Sequence, residues 1–101
     1  MDKILEEIKQ ERVKQNFKWG VQNHLPIEWI AILTEEVGEA AKEALDHHFK
    51  NPYKDGGEVF DANEITQECR MRDYRKEMIQ VAAVAVQMIE CLDRNEKQNH
   101  E

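Results

Sequence analysis

The chain contains 101 residues, a length that fits one domain spanning 1–101. Its 21 acidic and 14 basic residues give a net charge of −7, which argues against nonspecific binding to nucleic acid or to an anionic membrane. Hydrophobic residues make up 41% of the chain, too many for a disordered protein, and no run of about 18 apolar residues predicts a membrane-spanning helix.

Few prolines and glycines interrupt the chain, so the sequence predicts an all-α fold made of a few long helices. The first helix is predicted over residues 2–17 and contains no apolar signal core. Because Cys69 and Cys91 belong to no metal-binding pattern, we expect reduced thiols in a cytoplasmic protein. A polar connector follows over 19–26 and ends in Pro26, a residue suited to the first turn of a helix.

The second helix, predicted over 27–49, carries six acidic residues within one arc of about 100°. Glu36 and Glu43 lie where this arc meets the apolar side of the helix, and Glu35 points further outward. Gly38 lies on the far side, where we expect it to permit close approach of another helix. An acidic face that is only solvated explains this helix equally well, because like charges one turn apart repel by only about 0.2–0.5 kcal/mol.

The last helical region is predicted over 63–95, after a loop at 50–60, and is compatible with a break near 70–73. Ten of the thirteen residues of 77–89 are apolar. This segment, which we call the apolar rod, needs contacts with other helices on most of its sides. A monomer of this size supplies fewer contacts than that. The sequence therefore predicts a homo-oligomer in which a second chain completes the core.

The polar exceptions within this rod, Glu77, Gln80 and Gln87, form one stripe on the helix. A carboxylate buried there is strongly unfavourable unless it is paired. Two explanations remain open at this point: a cation shared with carboxylates of another helix, or a salt bridge to a basic side chain. The candidates for the salt bridge are Lys42, Arg75 and Lys76.

Two helices thus each offer oxygen donors one turn apart, Glu36 with Glu39 and Glu77 with Gln80. If the helices pair in antiparallel fashion, these side chains can surround one site. Ligands that are all oxygen favour Mg²⁺, or Mn²⁺ in its place, over zinc or iron. A magnesium site made of a few carboxylates usually keeps open positions for a substrate phosphate.

Three segments in order carry a resemblance to a known family. The motif E-E-x-x-E stands at 35–39, a segment at 18–26 precedes its helix, and the apolar segment 74–90 follows with Glu77. Together they resemble the MazG-like, all-α nucleoside triphosphate pyrophosphohydrolases, in their small bacterial and phage forms. The resemblance covers about residues 17–92 and departs from the family pattern at Gln80, where the E-x-x-D motif has aspartate.

The resemblance implies a homodimer or dimer of dimers built on four-helix bundles. It also implies Mg²⁺-dependent hydrolysis of a nucleoside triphosphate, (d)NTP + H₂O to (d)NMP + pyrophosphate, in house-cleaning of non-canonical nucleotides. Glu36, Glu39 and Glu77 are then metal ligands, and Gln80 is a neutral ligand in the aspartate position. Glu35 is an auxiliary carboxylate that orients the attacking water, so the four glutamates form the expected catalytic set.

A substrate of this class needs contacts to its base and to its phosphates. For the base, stacking and amide contacts are expected from the connector residues Trp19, Gln22, Asn23 and His24, although Trp19 is equally compatible with core packing. For the departing pyrophosphate, the candidates near the helix ends are Lys50, Lys54, Arg72 and Arg75. Each of these cations is also compatible with an ordinary surface charge.

Two other classes of function remain open from the sequence. One is a catalytically weakened member that binds nucleotide or metal, which Gln80 favours because a neutral amide brings no charge to a cation. The other is a helical interaction module in which the acidic residues are only a solvated face.

Overall fold

The computed structural model describes residues 1–49 and 64–99, with the backbone alone at 64–67 and 97–99. Its elements in chain order are α1 (Asp2–Trp19), α2 (Pro26–His48) and α3 (Glu64–Asn99). The predicted all-α class is confirmed for this part of the chain. The break considered near 70–73 is wrong, because α3 is continuous there. The four-helix bundle stays a prediction, since the described residues form three helices, and the loop predicted over 50–60 lies outside them.

The ends of α1 and α2 follow from local chemistry. Gly20 ends α1 with φ 73°, a left-handed conformation that glycine adopts without steric cost, and its N–H donates to the Asn16 carbonyl at 2.8 Å. Pro26 occupies the first position of α2, as the sequence predicts. The Glu28 carboxylate accepts a hydrogen bond at 2.8 Å from the backbone N–H of Leu25, which fixes the entry of the chain into the helix.

Helix α3 packs against both α1 and α2, and ion pairs join the three helices. Arg12 of α1, 8% exposed, donates through Nε to Glu90 of α3 at 2.7 Å. Arg70 of α3, 2% exposed, pairs with Asp46 of α2 at 3.3 Å. Because these guanidinium groups are buried, removing either carboxylate would leave a buried charge short of a partner.

The apolar core of the described residues is small. Its buried members are Trp29, Ala40, Ala83, Val84 and Cys91, and both cysteines are free thiols, as predicted. Many larger apolar side chains on all three helices stay exposed. The role predicted for Gly38 is wrong for this part of the chain, because a Cβ placed there meets no atom within 4 Å and no helix approaches it closely.

Candidate metal centre and adjoining groove

Helices α2 and α3 bring three of the predicted ligands together. Glu36, Glu39 and Glu77 each offer a carboxylate oxygen, and these oxygens lie within 4.8 Å of one another. Glu36 and Glu39 share a face because they are one turn apart on α2, and Glu77 reaches them from the packed helix α3. We call these three residues the carboxylate cluster.

Partial burial of Glu36 and Glu77, beside the exposed Glu39, makes this cluster electrostatically unfavourable when no cation is bound. One oxygen of Glu36 and one of Glu77 are buried without a hydrogen-bond partner among the described residues. Burial, followed by the nearby Glu39, Glu36 and Glu43, raises the pKa of Glu77 from 4.5 to about 7. Burial also raises the pKa of Glu36, with smaller effects from Glu39, Glu35 and Glu11. A divalent cation would remove this repulsion and satisfy the unpaired oxygens.

The salt-bridge alternative for Glu77 is not what the described residues form. Arg75 instead makes two hydrogen bonds to Glu7 of α1, at 2.6 and 3.0 Å. The buried oxygen of Glu77 therefore stays without a basic partner in this part of the chain. A half-buried carboxyl with one unpaired buried oxygen, beside two other carboxyl groups, is an arrangement that suits a shared cation.

The surroundings of the cluster contain Glu35 and Gln80, which the sequence predicts as site residues, and Glu43, to which it assigns no role. Glu35 is exposed and close enough to Glu36 to contribute to its raised pKa. Gln80 is half-buried on α3, one turn after Glu77. Glu43 has a buried oxygen without a partner in the described residues and contributes to the raised pKa of Glu77. The position of Glu43 at the border of the acidic arc is the sequence feature that indicates this proximity to the cluster.

A groove of about 290 Å³ adjoins the cluster and is shared by α1, the connector, α2 and α3. We call it the amide groove. Its polar lining consists of Gln15, Gln22, Gln87 and Glu36, and its remaining lining of Trp19, Trp29, Ile32 and Val84. Trp19 is 61% exposed, so the structure does not support its interpretation as a core residue. Two of the four predicted base-binding residues, Trp19 and Gln22, line this groove.

The other two, Asn23 and His24, have different neighbours. The Asn23 side-chain oxygen accepts a hydrogen bond from Arg94 at 3.1 Å, and the His24 ring packs edge-on against Trp29 at 4.8 Å. His24 lines a second, apolar groove of about 420 Å³ with Trp29, Cys91 and neighbouring side chains of α2 and α3. These contacts anchor the connector to α3.

The predicted phosphate-binding cations are only partly described. Lys50 and Lys54 lie outside the described residues. Arg72 and Arg75 line a third groove, of about 300 Å³, together with Lys14 and Lys76, neither of which the sequence predicted as a phosphate-binding residue. Glu7 and Glu11 also line it, and Glu11 is close enough to Glu36 to affect its pKa. Four cations therefore lie along α1 and α3 on the side of Glu11.

Comparisons with protein-family models, with curated proteins and with solved structures find no match to this chain. Within the described part of the chain, no helix combines the length and apolar character needed to cross a membrane. Function must therefore be argued from the site itself.

Proposed function

We propose that this protein is a Mg²⁺-dependent nucleoside triphosphate pyrophosphohydrolase of the MazG-like type, converting a (d)NTP and water to a (d)NMP and pyrophosphate. The observation that carries the proposal is the carboxylate cluster, whose buried oxygens have no partner among the described residues. Its donors are all oxygen, the ligand type that Mg²⁺ prefers, with Mn²⁺ as a substitute. The amide groove next to Glu36 supplies a place for a nucleobase.

Each group of the site has a definite task under this proposal. Glu36, Glu39 and Glu77 would hold the cation, which would supply Lewis-acid polarisation of the phosphate and lower the pKa of the attacking water. Glu35, exposed beside the cluster, orients the attacking water and accepts its proton. Arg72 and Arg75 neutralise the departing pyrophosphate from their groove.

We also propose that two copies of the chain associate through an apolar face formed by α2 and α3. The exposed apolar residues of α2 (Ile27, Ile30, Val37, Leu45) follow helical spacing along one side. Those of α3 (Met78, Val86, Ile89, Leu92) do the same. The two stripes meet in the apolar groove, which Ile30, Ile89 and Leu92 line together. We call these eight residues the apolar face.

The size of the apolar face fits a second copy. A fully exposed side chain of this size offers about 100 Å², so eight that are half-exposed leave roughly 400 Å² of apolar surface on each protomer. A standard interface buries about 800 Å² per partner, of which about 60% is apolar. Two α2–α3 pairs packed in this way would form a four-helix bundle, with the rod of α3 covered on the side that the monomer leaves open.

A pyrophosphate-release assay tests the proposed activity. The protein is incubated with Mg²⁺ and each of the common and damaged (d)NTPs, and we expect release of pyrophosphate from at least one of them. Replacing Glu36, Glu39 or Glu77 singly by glutamine should abolish release and weaken Mg²⁺ binding in calorimetry. Glu96→Gln, an exposed acid on α3, is the matched control and should do neither. If all three variants bound Mg²⁺ like the parent, the assignment of the cluster would be wrong.

One observation favours a second candidate, a weakened member that binds nucleotide and metal without turnover. Gln80 is half-buried one turn after Glu77, and its amide carries no charge. A carboxylate at this position would raise the affinity for the cation. Calorimetric binding of Mg²⁺ with a nonhydrolysable nucleotide, in the absence of pyrophosphate release, would favour this candidate. No binding at all would leave a helical interaction module.

A further inference from the structure

The amide groove contains a largely buried polar side chain that has no hydrogen-bond partner among the described residues. Gln87 is 6% exposed and lines the groove, and its side chain makes no hydrogen bond within the described residues. Its polar atoms are not among the fully buried unpaired ones, so the amide reaches solvent at the groove and is available to a ligand there. Gln87 sits on the same stripe of α3 as Glu77, which directs it to the side of the helix where the cluster lies.

Gln15, which also lines the groove, has its side-chain oxygen already hydrogen-bonded within the protein. Its side-chain oxygen accepts a hydrogen bond at 3.1 Å from Arg12, which Glu90 holds in place. A guanidinium group only donates, so this orientation of the amide is fixed by chemistry. Gln15 therefore offers the groove an NH₂ donor. Gln22 is similar, because its oxygen faces the His24 ring nitrogen at 3.3 Å.

We propose that Gln87 is the specificity-determining residue of a pyrimidine-binding site in the amide groove. The Gln87 amide pairs with the donor–acceptor edge that a pyrimidine presents at positions 3 and 4, accepting one hydrogen bond and donating the other. Gln15 donates to the carbonyl oxygen at position 2, an acceptor that adenine lacks. The volume of about 290 Å³ lies at the small end of ligand sites and suits one ring rather than two.

The inference rests on the proposed function for the orientation of the ligand. With the base stacked on the exposed Trp19 ring, the sugar and phosphates extend toward Glu36, which lines the same groove and belongs to the carboxylate cluster. Stacking on the aromatic surface contributes to affinity, and hydrogen bonds to the amides discriminate between bases. The same amide accommodates cytosine or uracil, because its two ends can exchange places by rotation.

Nucleoside binding without metal tests the groove independently of catalysis. The chain has two tryptophans, and both line the groove, so their fluorescence and indole N–H signals report ligand binding directly. The probes are thymidine and deoxycytidine against deoxyadenosine, titrated without Mg²⁺. We expect the parent to bind both pyrimidine nucleosides more tightly than deoxyadenosine.

Substitution of Gln87 gives the decisive comparison. Gln87→Met keeps the size but removes both hydrogen bonds, and should weaken pyrimidine binding about tenfold to hundredfold. Its melting temperature without ligand should stay close to that of the parent, because the Gln87 side chain makes no hydrogen bond among the described residues. Gln15→Met should weaken binding about tenfold, and Lys9→Met, on the exposed side of α1, should leave it unchanged.

The outcomes separate this inference from the proposed function. Unchanged pyrimidine binding by Gln87→Met, a preference of the parent for deoxyadenosine, or no binding to the parent would each overturn the inference. Pyrophosphate release without any preference for pyrimidine triphosphates would overturn it while leaving the activity intact. Selective pyrimidine binding without pyrophosphate release would uphold the site and refute the hydrolase.

Discussion

The raised pKa of Glu77 makes a specific prediction for Glu77→Gln in the absence of metal. The carboxyl titrates at about 7 in the folded protein against 4.5 for its ordinary value. The folded state therefore holds the proton more tightly than the unfolded state. The stabilisation is fully present below pH 4.5 and is lost as the pH rises through 7. Glutamine cannot lose a proton, so Glu77→Gln removes this dependence.

The magnitude follows from the size of the shift. A rise in pKa from 4.5 to about 7 corresponds to at most about 3 kcal/mol of unfolding free energy, lost between pH 4.5 and pH 8, and solvent screening of this partly buried carboxyl reduces it. The electrostatic repulsion is distributed over Glu36, Glu39 and Glu77, so removing one charge relieves only part of it. We therefore expect Glu77→Gln to be more stable than the parent at pH 8 by about 1–3 kcal/mol. For a chain of this length that is roughly 5–15 °C in melting temperature.

The assay is urea or thermal unfolding in EDTA from pH 4.5 to 8, at one protomer concentration. Glu96→Gln, exposed on the same helix, is the control and should follow the parent. Added Mg²⁺ should restore stability to the parent at pH 8 and much less to Glu77→Gln. A variant that is less stable than the parent at pH 8 in EDTA would refute the reasoning, because the carboxylate would then be stabilised in the fold.

Three further substitutions test other parts of the structure. Gln80→Asp should strengthen Mg²⁺ binding about tenfold in calorimetry and should lower the melting temperature without metal. If both values were unchanged, Gln80 would not face the cluster. Ile89→Glu should convert the proposed dimer to a monomer in light scattering, whereas Phe17→Glu, at a 93% exposed position of α1, should have the same mass as the parent. A compact parent monomer at micromolar concentration would contradict the proposed interface. Arg12→Met should lower the unfolding free energy by about 1–3 kcal/mol, because it removes the hydrogen bonds that Arg12 gives to α1 and to Glu90, and a neutral result would show these bonds to be dispensable.

The cluster illustrates why part of the site was predictable. Glu36 and Glu39 lie one turn apart on α2, so their common face is a local consequence of helix geometry. Glu77 stands out because a lone carboxylate in an apolar run requires a partner. The structure brings the three together, as the sequence leads one to expect, while the cation itself stays a prediction.

The connector shows where sequence reasoning fails. Trp19, Gln22, Asn23 and His24 are consecutive or nearly so, and were expected to act together on a base. The turn at Gly20 and the packing against α3 divide them, so that Gln22 lines the amide groove and His24 lines the apolar one. No local pattern encodes such a division, because it depends on which groups of α3 face the connector.

The sequence by itself determined the helical class, the approximate limits of the helices and the face on which each acidic residue lies, because these follow from spacing along one helix. The tertiary structure alone decided that Glu77 lies within 4.8 Å of Glu36 and Glu39, that Arg75 pairs with Glu7 instead of Glu77, and that α3 is continuous. It also decided that Gln15 and Gln87 meet in one groove, although 72 positions separate them (87 − 15). The physical reason is that helix pairing brings together side chains from distant positions, whereas periodicity constrains only neighbours within one helix.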